Sequence, residues 1–478
     1  MMPFLSPRKE VIRRLYDGLA AGRDRWIRKN AYYYEEDRRY MRFLVPPGLR
    51  VLELGCGSGE LLASVAPAYG VGVDLSAEMV RRAREKHPHL QFHVGDIEDR
   101  RTIEALTGLF DVIILSDTIG VLEDCETTLA SLQPLCTRDT RVVVSYFSRM
   151  WAPVLGLAEA TGLKMPQPEQ NWLATEDIEA LLRLADFDIV KREWRILLPR
   201  RMFGIGRLVN RYIGHLPVLR RLCLRNYVVA RPQWNAALAG PAASVVIPCR
   251  NERGNIEQIV RRMPRFARKQ ELLFIEGHSR DGTFEEIHRV AQAHPEWDIR
   301  VFRQDGIGKG DAVRKGFEQA RHEVLMILDA DMTVAPESLP RFYHALVSGK
   351  GDLINGSRLV YPMEEQAMRF LNLVANHLFS AVFSWLLNQR ITDTLCGTKV
   401  LTRRHYQRLV ADRLYFGEFD PFGDFDLLFG AAKQNLKIVD VPVRYASRRY
   451  GETQISRFRH GWLLLRMTVF AYRKMKAL

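Results

Sequence analysis

The sequence is short of several features that would assign it to a specialised class of protein. It has six cysteines in 478 residues and no C-x-x-C pair, which favours reduced thiols and a cytoplasmic compartment over a disulfide framework. It has no low-complexity tract, and 47% of its residues are hydrophobic, a composition typical of folded globular domains. At this length the usual domain size predicts two or three domains.

Long apolar runs are also scarce. The N-terminal stretch MMPFLSPRKEVIRRLYDGL has no apolar core of the kind found in a secretory signal, so we expect none. The longest candidate, residues 370–389, contains Asn372, Asn376 and His377 and only just reaches the length that spans about 30 Å of hydrocarbon. These polar residues favour a helix that lies in the membrane interface.

Acidic residues are outnumbered, with 56 Asp and Glu against 70 Lys and Arg, a net charge of +14. The excess is concentrated: residues 191–231 hold eleven Lys or Arg against Glu193, and residues 444–478 hold nine against Glu452. Both regions mix these cations with Leu, Ile, Phe, Trp and Tyr, which suits an anionic membrane surface better than a nucleic-acid groove. We therefore predict a protein peripheral to the inner face of the cytoplasmic membrane, with no nucleic-acid partner.

Two α/β patterns follow one another along the chain. Five short apolar strands between residues 51 and 147 alternate with helical stretches, which is typical of a parallel, doubly wound sheet. This pattern closes near residues 224–232, and a second strand series begins at 244–252. The intervening segment 232–243 is rich in proline and small residues, as linkers are. The sequence thus predicts two α/β domains, 1–232 and 233–478.

A glycine-rich turn marks the first domain. In VLELGCGSGELL, residues 51–62, Gly55, Gly57 and Gly59 lie between a strand and a helix, where the backbone can turn sharply and present free N–H groups to a ligand. Asp74 ends the next strand, nineteen residues after Gly55, at the position that hydrogen-bonds a ribose diol. The spacing alone also admits a dinucleotide.

The form of this turn is more specific than its spacing. The stretch 53–59, ELGCGSG, closely resembles the E/D-x-G-x-G-x-G signature of class I S-adenosylmethionine-dependent methyltransferases, over roughly residues 30–232. The resemblance implies a Rossmann-like methyltransferase sheet with S-adenosylmethionine as cofactor. It assigns Glu53, Gly55, Gly57 and Gly59 to the methionine portion, Asp74 to the ribose, Asp96 and Ile97 to the adenine, and Ser116 with Asp117 to the strand that lines the methyl-transfer site.

The methyl acceptor is not readable from this half of the sequence. The domain either transfers a methyl group or binds the cofactor without turnover. Four tyrosines near the N-terminus, Tyr32, Tyr33, Tyr34 and Tyr40, either cap the site or pack in the core.

The second half carries a pair of carboxylates at a strand end. The apolar run VLMIL leads directly into Asp329, Ala330 and Asp331, which closely resembles the D-x-D motif of GT-A fold glycosyltransferases. The resemblance implies a divalent cation, Mg²⁺ or Mn²⁺, on Asp329 and Asp331 that bridges to the diphosphate of a nucleotide sugar.

Three further stretches resemble family 2 glycosyltransferases, and together the matches cover about residues 243–450. They are SVVIPCRNE, with Pro248, Asn251 and Glu252 around the nucleotide; FIEGHSRDGT, with Glu276 and Asp281 but Gly277 in place of an aspartate; and IGKGDAVRKGF, with Lys309 and Arg314 near the phosphates. The replacement at Gly277 leaves the choice of a base open.

Four more stretches, NGSRL, ITDTLCGTKVLTR, GDFDLL and RRYGETQISRFRHGWLLLRM, resemble dolichyl-phosphate mannose synthase and bacterial polyprenyl-phosphate glycosyltransferases. The resemblance implies an acceptor lipid phosphate, which guanidinium groups would orient. We assign this clamp to Arg358, Arg449 and Arg457, with Lys399 and Arg448 ranked below them. Asp393 orients the sugar or helps a metal ligand, and Asp424 and Asp426 are further candidates for a metal or sugar contact.

These observations predict a bifunctional enzyme. Its C-terminal GT-A domain would transfer a sugar from a nucleotide-diphosphate sugar to a polyprenyl phosphate with inversion. Its N-terminal domain would transfer a methyl group from S-adenosylmethionine to an acceptor that the sequence does not name, for which the glycolipid product is one candidate. Two alternatives stay open: a glycosyltransferase with a non-catalytic cofactor-binding module, and a glycosyltransferase that acts on a soluble acceptor.

Overall fold

Buried apolar strands alternate with helices in both halves of the computed structural model, which describes residues 5–233, 240–360, 370–412, 424–446, 450 and 457–477. The chain divides into two units. The first comprises the described residues up to Gln233 together with Lys476 and Ala477, and the second runs from residue 240 to Met475.

The first unit is built on one mixed sheet with the strand order β3-β2-β1-β4-β5-β7-β6. Its strands are β1 Arg50–Leu54, β2 Tyr69–Asp74, β3 Gln91–Val94, β4 Phe110–Ser116, β5 Cys136–Phe147, β6 Phe187–Arg195 and β7 Arg225–Pro232. Strand β7 runs antiparallel to both of its neighbours, β5 and β6, while β1 to β5 pair in parallel.

Helices pack on this sheet and also precede it. They are α1 Pro7–Ala20, α2 Arg23–Lys29, α3 Ala31–Leu44, α4 Glu60–Ser64, α5 Ala77–Lys86, α6 Arg100–Glu104, α7 Cys125–Ala130, α8 Ala152–Ala160, α9 Thr175–Leu184 and α10 Ile205–Leu208. Alternate residues of the central strands, such as Leu52, Leu54, Ile113 and Leu115, are buried in one core. The residues between them, such as Val51 and Ile114, are buried as well, as expected for parallel strands that are covered on both faces.

The second unit contains a separate mixed sheet with the order β10-β9-β8-β11-β13-β12-β14. Its strands are β8 Ala243–Cys249, β9 Gln270–Glu276, β10 Asp298–Arg303, β11 Val324–Ile327, β12 Leu353–Ser357, β13 Lys399–Thr402 and β14 Ile438–Pro442. Strand β13 is antiparallel to β11 and β12. The predicted fold class, two α/β units with a Rossmann-like and a GT-A-like sheet, is confirmed.

The helices of the second unit are α11 Arg253–Arg262, α12 Thr283–Ala293, α13 Lys309–Gln319, α14 Leu339–Val347, α15 Phe370–Leu387, α16 Arg403–Ala411, α17 Asp424–Lys433 and α18 Arg457–Met475. Residues 370–387 of the predicted interfacial stretch are thus helical. Across the described ranges, no helix has both the length and the apolar character needed to cross a membrane.

Candidate functional sites

A cavity of about 430 Å³ lies at the carboxyl ends of β1, β2 and β4 in the first unit, within the size range of small-molecule sites. Seven predicted cofactor residues line it: Glu53, Gly55, Gly57, Asp74, Asp96, Ile97 and Ser116. Gly59 is not among the lining residues. It precedes α4 with a φ of 77°, and a Cβ there would lie 2.7 Å from the ring of Phe92, so its requirement for glycine is structural.

The glycine turn is shaped around Asp74. The amide of Gly57 donates to Oδ2 of Asp74 at 2.7 Å and that of Ser76 to Oδ1 at 2.9 Å, which fixes the carboxylate at the cavity wall. Gly55 has a φ of 76°, and a Cβ on it would collide with the side chain of Thr118. The requirement for glycine at position 55 therefore comes from its positive φ and its close packing against Thr118.

Glu53 is buried beside this turn. Its Oε2 accepts a hydrogen bond from the Leu62 amide at 2.9 Å, and the side chain lines the cavity. Burial raises the pKa of Glu53 to about 8, with the neighbouring charges of Asp74 and Asp37 acting in the same direction. A cationic group bound nearby would favour the ionised carboxylate.

Helix α1 covers part of the cavity. Lys9 bonds Asp96 at 2.6 Å and Glu98 at 3.1 Å, and Asp17 accepts a hydrogen bond from Ser76 at 2.6 Å. The carboxylate predicted to face adenine therefore already has a lysine partner. Sequence reasoning missed Lys9 because no motif joins it to Asp96.

The four N-terminal tyrosines divide between the two predicted roles. Tyr33 and Tyr34 line the cavity. The Tyr32 hydroxyl accepts a hydrogen bond from Asn210 at 3.0 Å, and Tyr40 packs edge-on against Tyr227. Two of them thus line the cavity, and two make contacts within the fold.

A buried arginine organises the cavity wall beside β4. Arg225, only 1% exposed, bonds Asp37 at 3.1 Å, Ser116 at 2.7 Å and Ser145 at 3.1 Å, and it also pairs with Asp117. Asp117 lines the cavity and has a φ of 62°. This network places a guanidinium and a carboxylate next to the strand predicted to line the methyl-transfer site.

Arg225 corrects one part of the charge analysis, which counted it among cations facing a membrane surface. Arg225, Lys191, Arg195 and Arg231 are all buried, so they act inside the first unit. The other cations of that region include exposed arginines such as Arg201.

In the second unit, three segments meet at the D-x-D turn. Lys309, the first residue of α13, pairs with Asp329 at 2.7 Å. Oδ1 of Asp331 accepts hydrogen bonds from the amide and hydroxyl of Thr333 at 3.1 and 2.8 Å. A Cβ on Gly397 would collide with both Asp329 and Lys309. The loop that contains Gly397 therefore packs directly over the ion pair.

The predicted cation site offers oxygen ligands only. Within the described residues, no three His, Cys, Asp or Glu side chains gather as metal ligands. Magnesium is commonly held by one or two carboxylates, with the remaining ligands supplied by water and substrate phosphates, and Asp329 and Asp331 supply such a pair. Their role as metal ligands stays a prediction.

The residues predicted around the nucleotide join two neighbouring turns. The amide of Asn251 donates to Ser279 Oγ, and its Oδ1 accepts from the Arg280 amide, both at 2.9 Å. Asp281 accepts hydrogen bonds from the amides of Arg253 and Thr283 at 3.2 and 3.1 Å. Glu252 is buried and bonds Asn255 at 2.7 Å. Glu276 accepts from the Ser279 amide, and Pro248 is half-buried in β8.

Arg358, predicted for the acceptor clamp, and Asp393, predicted to contact the sugar or help a metal ligand, contact each other. They form an ion pair with a closest distance of 2.7 Å, and the Asp393 side chain is fully buried. The pair ties the end of β12 to the loop 391–398. Lys399 is fully buried and donates to the Cys396 carbonyl at 2.6 Å.

Asp440, which sequence analysis did not single out, reinforces the same loop. It accepts hydrogen bonds from Asn355 Nδ2 at 2.8 Å and from the amide and hydroxyl of Thr392 at 2.6 and 2.8 Å. Its only sequence signal is an acidic residue inside an otherwise apolar strand, LKIVDVPVRY.

Some of the remaining predicted residues fall outside the part of the chain that the structure describes. Arg448 and Arg449 lie outside the described residues, and so do the side chains of Arg457 and Asp424. Asp426 is half-buried on α17. Arg314 lies on α13, with its guanidinium 3.8 Å from Asp311.

Two family models match separate parts of the chain. The model described as a methyltransferase domain matches residues 26–192, and that of glycosyl transferase family 2 matches residues 244–411. The chain is 29% identical over 218 residues to the polyprenol monophosphomannose synthase of Mycolicibacterium smegmatis, covering 44% of this chain and 80% of that protein. It is 35% identical over 109 residues to the dolichol-phosphate mannosyltransferase of Saccharomyces cerevisiae, covering 22% and 40%.

Solved structures resemble each half. A possible histamine N-methyltransferase from Thermotoga maritima has a TM-score of 0.36 and 16% identity, covering 46% of this chain and 99% of that one. The glucosyl-3-phosphoglycerate synthase of Mycobacterium tuberculosis has a TM-score of 0.37 and 20% identity, covering 51% and 84%.

The two family matches fall in different structural units, one on each sheet. Both relatives carry the names of mannose-transferring enzymes, and the glycosyltransferase model matches the second unit. The chain therefore joins a methyltransferase domain to a family 2 glycosyltransferase domain that is similar to polyprenol-phosphate mannose synthases.

Proposed function

We propose that the second unit transfers a sugar from a nucleotide-diphosphate sugar to a polyprenyl phosphate, with inversion. The observation that carries the proposal is the meeting of Asp329, Lys309 and Gly397 at the end of β11. The similarity to the mycobacterial polyprenol monophosphomannose synthase over 80% of its length supports the lipid acceptor.

The residues at this site suit a divalent cation, because Asp329 and Asp331 offer oxygen ligands of the kind that Mg²⁺ and Mn²⁺ accept. When bound, such an ion neutralises the charge that develops on the departing diphosphate. Lys309 adds a positive charge to the same place. Pro248, Asn251, Glu252, Glu276 and Asp281 shape the two turns where we place the nucleotide.

The transfer needs no strong base. An oxygen of the acceptor phosphate forms the new bond to the anomeric carbon, and the bond from that carbon to the diphosphate breaks, so that the nucleoside diphosphate leaves with the electron pair. The acceptor is anionic at neutral pH and loses no proton. Arg449 and Arg457 are our candidates for orienting it, whereas Arg358 positions the loop 391–398 through Asp393.

We propose that the first unit binds S-adenosylmethionine in its cavity and transfers a methyl group. The fit is chemical: Glu53, Asp74 and Asp117 line the cavity with carboxyl groups, and the cofactor carries a positively charged sulfur. That sulfonium supplies an electrophilic methyl group, so the protein's part is to align it with the acceptor. The guanidinium of Arg225 holds Ser116 and Asp117 in place for this alignment.

We place the protein at the inner face of the cytoplasmic membrane as a peripheral enzyme. Support comes from α18, where Leu465, Arg466, Val469 and Arg473 are exposed together. Apolar and cationic side chains on one helix favour an anionic bilayer surface. Binding to vesicles that weakens as salt is added would agree with this placement; salt-independent or absent binding would favour a soluble acceptor.

Sugar transfer by wild type and Asp331→Asn tests the main proposal, with polyprenyl phosphate, Mg²⁺ or Mn²⁺, and a panel of radiolabelled nucleotide sugars. We expect a labelled, chloroform-soluble product that falls about 100-fold or more in the variant. Asp298→Asn, an exposed aspartate on β10, is the matched control and should keep wild-type activity. No lipid product from any donor would exclude the polyprenyl acceptor.

A further inference from the structure

The connection between β6 and β7 is rich in arginine and lacks acidic residues. From Trp194 to Gln233 the sequence contains no aspartate or glutamate. Residues 199–222, here called the arginine-rich segment, expose Arg200, Arg201, Arg207 and Arg221 to solvent. Any partner of this segment therefore meets positive charge with no compensating carboxylate from the segment itself.

The same segment exposes large apolar side chains. Phe203 is fully exposed, Val218 is 82% exposed and Leu208 is 60% exposed. Others with more than a third of their surface open are Met202, Ile205, Tyr212, Ile213, Leu216 and Leu222. A soluble protein rarely leaves so many large apolar groups together in water without a binding role.

Specific hydrogen bonds and backbone angles hold the arginine-rich segment in the conformation that exposes these side chains. The amide side chain of Asn210 is buried and bonds the backbone of Leu198 through both its donor and its acceptor, at 2.8 and 2.9 Å. Met202 and Phe203 have φ values of 43° and 54°, a left-handed conformation that bulky residues seldom adopt. The fold thus holds Phe203 outward despite this backbone cost, as is common at functional positions.

Helix α8 extends the apolar surface. Met150, which precedes the helix, is 62% exposed, and Val154 and Leu157 on the helix are 52% and 66% exposed. Trp151, just before this helix, donates its indole N–H to the Leu222 carbonyl at 2.9 Å. The helix and the arginine-rich segment are therefore neighbours and form one surface.

This surface borders the cavity of the first unit. Trp151 and Val154 from the α8 side, and Pro199 and Arg200 from the arginine-rich segment, all line the cavity wall. A hydrocarbon chain bound to the surface would therefore lie next to the cavity wall.

Exposed apolar side chains among exposed arginines suit the surface of an anionic bilayer. The apolar side chains can enter the hydrocarbon region, and the arginines can pair with the lipid phosphates. We propose that the arginine-rich segment and α8 insert into an anionic membrane, and that the methyl acceptor is a membrane-borne amphiphile that enters the cavity from this surface. The acceptor part rests on the proposed methyl transfer. In that step the acceptor's nucleophilic atom bonds the methyl carbon, the sulfur keeps the electron pair of the broken bond, and any displaced proton leaves to water.

The membrane surface is tested on the full chain by hydrogen exchange and co-sedimentation with vesicles of phosphatidylglycerol and phosphatidylcholine. We expect residues 199–222 to become protected on vesicles. The double variants Phe203→Ser with Leu208→Ser, and Arg201→Gln with Arg207→Gln, should each weaken binding about tenfold or more. Protection confined to the second unit, or self-association through this surface in place of vesicle binding, would overturn the proposal.

Matched controls are available on the same unit. Leu109→Ser with Leu184→Ser removes two other exposed leucines, 49% and 64% exposed. Arg81→Gln with Arg100→Gln removes two exposed arginines on α5 and α6. Both controls should bind vesicles as wild type does. An equal loss in variants and controls would show that only total charge or hydrophobicity matters, and would reject the surface.

The acceptor class is tested with labelled S-adenosylmethionine, vesicles of the source organism's total lipid extract, and its protein-free aqueous extract. We expect label in the organic phase, reduced about tenfold or more in the Phe203→Ser, Leu208→Ser variant while cofactor affinity stays unchanged. Cofactor binding with no organic-phase product, or equal methylation of a water-soluble compound by both proteins, would overturn the acceptor class. Absence of cofactor binding would instead reject the proposed methyltransferase function.

Discussion

Arg358 and Asp393 form a buried, two-pronged ion pair. The guanidinium Nε lies 2.7 Å from Oδ2 and Nη2 lies 2.9 Å from Oδ1. The backbone amides of Arg358 and Leu395 donate to the same carboxylate at 3.0 and 2.9 Å. Asp393 therefore uses its carboxylate to fix the loop 391–398. This loop contains Gly397, which lies against the D-x-D turn.

Replacing Asp393 with Asn is expected to destabilise the second unit by about 3–5 kcal/mol, because Arg358 would stay buried without its counter-charge. Hydrogen exchange of β12 and the loop 391–398 measures the change. The control is Asp298→Asn, whose exposed partner Arg321 is 3.7 Å away, and which should cost less than about 1 kcal/mol. Similar small losses in both variants would contradict the role of the pair.

This pair also predicts a pH dependence. Burial alone would raise the pKa of Asp393, but the hydrogen bonds and charge of Arg358 hold it below the ordinary value of 3.8. The ionised form is therefore favoured in the folded state, so its contribution to stability is complete above about pH 4 and is lost as the pH falls further. Acid unfolding of wild type and Asp393→Asn should converge there; a constant difference down to pH 2 would refute this.

Gly397→Ala should weaken nucleotide-sugar binding and sugar transfer while leaving the first unit unchanged. An added methyl group would collide with Asp329 and Lys309, and both are packed side chains at the proposed diphosphate site. We expect the affinity for the nucleotide sugar to fall about tenfold or more, measured by calorimetry. Gly18→Ala, where a Cβ meets nothing within 4 Å, is the matched substitution. Unaltered nucleotide affinity in Gly397→Ala would remove this loop from the site.

The parts of both sites that could be predicted from sequence are local. A glycine turn after a strand, with an aspartate at the tip of the next strand, fixes Gly55, Gly57 and Asp74 around one cavity because parallel strands end at the same edge. The same reasoning placed Asp329 and Asp331 at the end of β11. Short motifs carry their own geometry, so no knowledge of the strand order is needed.

The contacts that escaped prediction join distant positions through strand order. Arg225 meets Asp37, 188 residues away, because β7 is inserted antiparallel beside β5. That direction brings the first residue of β7 to the carboxyl edge of the sheet, where the cavity lies. Composition likewise counted Arg225 and Arg201 as equivalent, whereas one is buried and the other exposed.

Arg225→Lys tests whether stability and methyl transfer depend on the several hydrogen-bond donors of the guanidinium group. One ammonium group keeps the charge but cannot bond Asp37, Asp117, Ser116 and Ser145 together. We expect the first unit to lose about 3 kcal/mol of stability and most methyl transfer, with sugar transfer retained. Arg192→Lys, at a half-exposed pair with Glu179, should leave both activities unchanged. Wild-type stability and methyl transfer in Arg225→Lys would reject the network.

Glu53 should make cofactor binding depend on pH. Its pKa of about 8 in the free protein means that the carboxyl is mostly neutral at pH 7, and a cationic ligand favours its ionised form. Affinity should therefore rise about fivefold between pH 7 and pH 8 relative to Glu53→Gln, with a proton released on binding. Comparing the two proteins by calorimetry cancels the titration of the ligand itself.

The same shift has the opposite effect on the unliganded fold. Because the folded state holds the Glu53 proton more tightly than the unfolded chain, where the ordinary pKa is 4.5, stability should fall as the pH rises from about 4.5 to about 8. Glu53→Gln has no such proton and should lack this slope, so chemical unfolding of both proteins across that range measures it. A ratio of affinities that stays flat with pH, together with parallel stability curves, would show that Glu53 ionises normally and does not meet the sulfonium end of the cofactor.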